Sequence, residues 1–312
     1  MALQGRIYID GFDAFTRYGL VMKYGGYAAV LQLPQFKKLD TNDWQEDDGI
    51  EADLDSPVLD SRTLSLTFYA LHPMSSTEAD VFIYDLKQSA YHTFSFPEIG
   101  RTHQLRYVSC SSYAVNSRFD TLTVTFAEDL VSVTSATVPD AGSEFNVKSY
   151  GYMIDNYDVC RLSCYVMQGT RANIERFPNS KESLATGNSI TAGKTYDSDA
   201  TFHAKSRDLT LNLYMYTNQL NRFTRRWNAL CTLLTASGYR TVSCDGYSFK
   251  CFYKNMSVKK VHVAENGGVQ CEFSVTFTVC KYLSGGEWYY LIAENGSAIL
   301  TEDGNYIIRI NN

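Results

Sequence analysis

From Arg62 to Tyr69 the apolar residues fall on every second position, Leu64, Leu66 and Phe68, with Thr and Ser between them. Strict alternation marks a strand with one buried face. Leu209, Leu211 and Leu213 repeat the pattern, as do Leu122–Phe126 and Phe273–Phe277. Two stretches change to helical spacing. Leu220, Phe223, Trp227, Leu230, Cys231 and Leu234 predict a helix closed near Gly238 as C-cap. Ala79, Phe82, Ile83 and Leu86 predict a second one behind the capping run Ser75-Ser76-Thr77. Glu265-Asn266-Gly267-Gly268 predicts a hairpin turn, because Asn-Gly suits the positive φ such a turn needs.

The same pattern occurs twice. Ile9-Asp10-Gly11-Phe12-Asp13 matches Ile154-Asp155-Asn156-Tyr157-Asp158, and Val21-Met22 matches Val166-Met167 at the same offset. Ser61–Tyr69 matches Ser206–Tyr214, and Leu122–Phe126 parallels Phe273–Phe277 in the same order. Four blocks kept in order predict a duplicated chain, each copy holding strands, one helix and more strands. The expected fold is mainly β, a sandwich or barrel with one flanking helix, built twice. The expected domains are 1–131 and 149–282, joined by a Ser/Thr/Gly-rich linker at 132–148. A tail at 283–312 follows, where two Glu-Asn-Gly and Glu-Asp-Gly turns between apolar pairs predict a small β-meander.

Composition narrows the class. Of 312 residues 45% are apolar and 20% charged, which describes a globular chain. Twenty-three Tyr and 17 Phe with six Pro favour strands. A net charge of −6 argues against sequence-specific nucleic-acid binding, and no apolar run approaches the ~18 residues that would span a bilayer. The opening MALQGRIYIDGF lacks the pattern of a secretory signal, so a cytosolic site of synthesis is expected. Cys160, Cys164, Cys244, Cys251 and Cys271 alternate with apolar neighbours and read as buried thiols rather than disulfides or a zinc site. Cys244 and Cys251 flank a turn and could face each other.

Candidate chemistry concentrates in Asp40–Pro57, which carries eight carboxylates and no Lys or Arg. As a calcium loop it fails: with Gly49 as the sixth-position glycine, position one falls on Trp44. As a catalytic pair it lacks the apolar setting that raises one carboxyl pKa. The corresponding stretch in the second copy, Ala185–Lys205, has only Asp197 and Asp199, so the acids belong to the first copy alone. Trp44, Asp47, Asp48 and Glu51 therefore read as an assembly surface. Arg222, Arg225 and Arg226 flank the helix of Trp227 and read either as a solvated face or as a dock for an acidic partner. No hydrolase, Walker, dinucleotide or zinc-protease motif occurs, and the five histidines stand isolated in sequence. No enzyme activity, cofactor or metal is expected.

The strand with IDGFDAFTRYGL, then Lys37, Asp43-Trp44 and the acidic DDGIEADL, resembles the N-terminal domains of tailed-phage tail-tip proteins. These are distal tail proteins and baseplate hub proteins, especially those of Bacteroides-type phages and prophages. The resemblance implies a virion structural protein assembled in the host cytoplasm. The duplicated unit is similar to the tail-tube fold, and the resemblance implies a homo-oligomeric ring of such domains, trimer or hexamer, around the tail channel, with other tail proteins as partners. The alternative is a carbohydrate-binding or adhesin-type β-sandwich, for which the many Tyr and Trp would supply stacking surfaces.

Overall fold

In a computed structural model, residues 4–71, 77–115, 119–140, 148–181 and 203–284 are described, with short pieces within 185–196, 288–290 and 309–311. The first half contributes seven strands to one sheet: β1 (Tyr8–Ile9), β2 (Phe12–Asp13), β3 (Leu20–Met22), β4 (Arg62–Leu71), β5 (His92–Phe96), β6 (Arg101–Val115) and β7 (Phe119–Glu128). The second contributes β8 (Met153–Ile154), β9 (Tyr157–Asp158), β10 (Cys164–Val166), β11 (Asp208–Thr217), β12 (Arg240–Cys244), β13 (Tyr247–Val263) and β14 (Val269–Ser284).

Both sheets are antiparallel and share one topology. The first runs β2-β1-β5-β6-β7-β4-β3 and the second β9-β8-β12-β13-β14-β11-β10. Register confirms the duplication at residue level. Leu64 lies opposite Phe126, as Leu209 lies opposite Phe277. The alternating residues point into one core: Leu64, Leu66, Phe68 and Leu209, Leu211, Leu213 are all buried. Among the described residues five helices cover the sheets: α1 (Ala14–Tyr18), α2 (Tyr27–Leu31), α3 (Thr77–Leu86), α4 (Thr170–Glu175) and α5 (Leu220–Thr235). The single flanking helix expected per copy is thus joined by shorter ones. α3 buries Ala79, Phe82 and Leu86, and α5 buries Phe223, Trp227, Leu230, Cys231 and Leu234, as the spacing requires. Trp227 meets Phe273 edge-on with ring centroids 5.0 Å apart.

The structure corrects several details. Asp13 caps α1, whose C-terminal Gly19 is left-handed at φ 64. In the second half Asp158 caps a four-residue 3₁₀ turn, Val159–Leu162, followed by Ser163 at φ 56. The tighter winding absorbs a one-residue deletion. Val21 opposite Tyr69 therefore corresponds to Tyr165 opposite Tyr214, and the match of Val21-Met22 to Val166-Met167 is one residue out of register. Helix α5 ends at Thr235 with Ala236 as its cap, short of Gly238, which serves another contact described below. Ser75 and Ser76 lie outside the described residues, as do the turns and apolar pairs of the expected meander. Of that tail, Trp288–Tyr290 pairs antiparallel with Arg309–Asn311.

All eight cysteines are free. Cys160 lies in the 3₁₀ turn rather than in a strand, and Cys251 lies opposite Arg240 rather than Cys244. Burial pushes the thiol of Cys231 up to about 11 and that of Cys280 up to about 12, which leaves them protonated packing groups.

Candidate functional site: an arm of the first half seated on the second

The acidic segment leaves the first half at an isolated bridge, Phe36 to Leu59, flanked by Lys37 N–H donating to Val58 C=O and Asp60 N–H to Gln35 C=O. A short pairing of Thr41–Asn42 with Glu51–Ala52 holds the arm as a hairpin. Its eight carboxylates are mostly exposed. Its main chain instead finds partners on the second half of the same chain.

Gly49 N–H donates to Ala204 C=O at 2.7 Å and Ile50 N–H to Cys280 C=O at 3.1 Å. The Tyr239 hydroxyl donates to Ala52 C=O at 2.8 Å and accepts from Ala52 N–H at 2.9 Å. Gly238 N–H donates to Leu54 C=O at 2.8 Å, and Leu54 itself is buried. This is what Gly238 does in place of capping α5. The charged contacts are fewer. Asp48 accepts from Ala204 N–H at 2.6 Å and lies 3.5 Å from His203 Nδ1. Lys181, only 4% exposed, pairs with Asp43 at 2.6 Å and donates to Trp44 C=O. A buried ammonium of this kind is tolerated because a carboxylate and a carbonyl meet it.

Of the four arm residues expected to form an assembly surface, Asp48 alone reaches the described residues of the second half through its side chain. Trp44 contributes its carbonyl, while its ring is exposed and its Nε1 donates to Glu51 at 3.2 Å. Asp47 and Glu51 are exposed. The arginine triplet is divided. Arg225 is exposed, Arg222 donates to Asn218 at 3.0 Å, and Arg226 is buried within α5. The three do not form one surface, and the acidic arm meets Lys181 and His203 instead. The described first part of the linker, 132–140, also packs against the body. Ala136 N–H donates to Thr232 Oγ1 at 3.2 Å, and Arg161 holds Pro139 C=O at 2.7 Å.

A second zone fastens the halves. The Tyr253 hydroxyl donates to Leu33 C=O at 2.9 Å, and its ring meets Phe36 edge-on at 5.7 Å. Arg101 donates to Asn228 Oδ1 on α5 at 2.6 Å. Beside it, Arg62 pairs with Glu128 at 2.6 Å and donates to the C-terminal carbonyls of α2, Ala29 and Val30, at 3.1 Å each. His103 meets the other oxygen of Glu128 at 2.6 Å. Burial alone would raise the Glu128 carboxyl, but hydrogen bonding from His103 and the charge of Arg62 outweigh it and lower its pKa. Arg207 repeats Arg62, donating to Asn173 and Ile174 C=O at the end of α4. Sequence reasoning singled out none of Lys181, Tyr239, Arg62 or Glu128. The repeated Ser-Arg of Ser61-Arg62 and Ser206-Arg207 was the available signal for the helix clamp.

Among the described residues no cluster of three or more His, Cys, Asp or Glu could hold a metal ion, and no helix is long and apolar enough to cross a membrane. His92 pairs with Asp10, His103 with Glu128 and His203 with Asp48, each in a different place. His72 lies outside the described residues.

The seat can be tested locally. Tyr239→Phe removes a hydroxyl that serves both polar groups of Ala52, and each group left unpaired costs about 1–3 kcal/mol. The expected result is faster hydrogen exchange at Ala52 and neighbouring arm amides, with protection in β13 and β14 unchanged.

No protein-family model matches this chain, and no curated protein sequence matches it. Among solved structures the chain is similar to the crystal structure of the SPP1 Dit (gp 19.1) protein, described as a paradigm of the hub adsorption apparatus in phages that infect Gram-positive hosts. Identity is 12%, the match covers 88% of this chain and 98% of that one, and at a TM-score of 0.28 the two backbones superpose only loosely.

Proposed function

We propose that this chain is a structural, non-enzymatic component of a phage tail tip or baseplate, hub-like, which assembles into a ring around the tail channel. The observation that supports this most is the way two copies of one fold join head to tail, the arm of the first lying on the base of the second. Such a contact is heterologous, because the two surfaces in it differ. Repetition of a heterologous contact yields a ring when the rotation closes. The motifs, mainly within residues 6–70, which resemble those of tail-tip domains, agree with this reading. The chain would then work in the virion tail after assembly in the host cytoplasm, with copies of itself and other tail proteins as partners.

Mass determination with negative-stain microscopy of the purified chain tests the reading. Annular particles at a multiple of 35.2 kDa are expected. A strict monomer that binds glycans would overturn the proposal in favour of a carbohydrate-binding β-sandwich.

A further inference from the structure

The contact inside the chain has a seat on the second half and a plug on the first. Duplication places a counterpart of each on the half that does not use it, and strand register identifies those counterparts. Tyr239 precedes Arg240, which pairs with Asp155, just as Tyr91 precedes His92, which pairs with Asp10. The main chain agrees, since Asp155 N–H donates to Thr241 C=O and Asp10 N–H to Thr93 C=O. Lys181 N–H donates to His203 C=O, and Lys37 N–H donates to Val58 C=O. Tyr253 lies opposite Phe277, and Tyr107 lies opposite Phe126. The seat residues Tyr239, Lys181 and Tyr253 thus correspond to Tyr91, Lys37 and Tyr107.

Their burial differs in one direction. Lys181 is 4% and Tyr253 1% exposed beneath the first half. Lys37 is exposed, Tyr107 is half-buried, Tyr91 is 38% exposed and the neighbouring Val58 is 57% exposed. The plug shows the same contrast. Leu33-Pro34 follows α2, and Leu33 is 6% exposed against Tyr253. Phe177-Pro178 follows α4 at the equivalent place, and Phe177 is 70% exposed. Single exposed apolar residues are ordinary on a protein surface. Here, however, Lys37, Tyr107 and Phe177 stand where Lys181, Tyr253 and Leu33 are covered, while Tyr239 and His203, the twins of Tyr91 and Val58, are half-buried.

We propose that the first half bears an acceptor face, Lys37, Val58, Tyr91 and Tyr107, which receives the second half of another copy of this chain, led by Phe177. The contact reproduces between chains the one already made within the chain. This inference rests on the ring reading above and gives that ring its joint. Each chain carries one filled joint inside and half of a joint at either end, so addition is head to tail.

Val58→Asp and Phe177→Asp each place a charge on one proposed surface, at side chains outside the side-chain contacts described for the internal joint. Size-exclusion chromatography with light scattering should show wild-type assembly and a loss of assembly to 35.2 kDa monomers for either variant alone. Thermal melts of each variant should show a cooperative transition, which separates loss of assembly from loss of fold. Mixed in equal amounts, the two variants should form a dimer and stop there, because each retains one intact surface. If both variants assemble as wild type does, the acceptor face is wrong and the ring reading stands. If each is monomeric and the mixture fails to pair, the two surfaces are not each other's partners, and the inference falls. A wild-type chain that stays monomeric at every concentration removes the ring reading and this joint together.

Discussion

Replacing Gly49, which is buried, by alanine should unseat the arm at a cost of about 2–5 kcal/mol, reaching the upper end for a single substitution. Two separate effects combine. Gly49 sits at φ 73, where an L side chain is strained by roughly 1–2 kcal/mol. In addition, a Cβ there would lie 1.9 Å from the carbonyl oxygen of Cys280, which is main chain on a central strand and cannot move aside. The arm must therefore lift, and with it go the bonds from Gly49 to Ala204 and from Ile50 to Cys280, each worth about 0.5–1.5 kcal/mol net. Gly11→Ala is the control. Gly11 has φ 83 but nothing within 4 Å of its would-be Cβ, so strain alone applies and the loss should be about 1 kcal/mol. Hydrogen exchange should show arm amides 49–54 losing protection in the Gly49 variant while the β11–β14 core keeps it. Equal losses in the two variants would show that the close approach to Cys280 contributes nothing.

Gly49 also illustrates what the sequence could and could not reveal. A glycine within an acidic loop suggests a calcium site, and ligand spacing disposes of that idea without revealing the alternative. The need for glycine comes from a backbone more than two hundred residues away, and local pattern carries no trace of such an approach. The fold was more legible. Alternation at Leu64–Phe68 and Leu209–Leu213 gave strands, helical spacing gave α3 and α5, and repetition gave two like sheets. Each of these signals is periodic and local. Register failed by one residue at Val21, because a 3₁₀ turn replaces an α-helical one and matching letters cannot show that change. Burial of Arg226 was hidden for a related reason. Within the run Arg222–Arg226 only packing against the body decides which guanidinium faces inward. The exposure of Asp47 and Glu51 was legible, while the partner of the arm was not.

Arg62→Met should destabilise the first half by about 3–5 kcal/mol, the range for removing one member of a buried ion pair. Both side chains of the pair are nearly covered, at 12% for Arg62 and 6% for Glu128. Methionine preserves the aliphatic stem, so the loss is that of the charge and of the bonds to the α2 carbonyls. The twin substitution Arg207→Met should cost clearly less. Arg207 clamps α4 in the same way, but Val279 occupies the position of Glu128, and no buried carboxylate is orphaned when the guanidinium goes. Burial already lowers the Arg207 pKa, so removing its charge also removes a desolvation cost. The difference between the twins should depend on pH. The Glu128 carboxyl is held below its ordinary value of 4.5 in the folded chain. A depressed carboxyl contributes stability above its unfolded pKa and loses it as pH falls through the folded one. The penalty of Arg62→Met should accordingly be full near neutrality and shrink below pH 4.5, while that of Arg207→Met stays level over the same range. Denaturant titrations of both variants at neutral pH and below pH 4 would decide this. A pH-independent penalty at Arg62 would mean that the arginine acts only through the α2 carbonyls, and that Glu128 is stabilised by His103 alone.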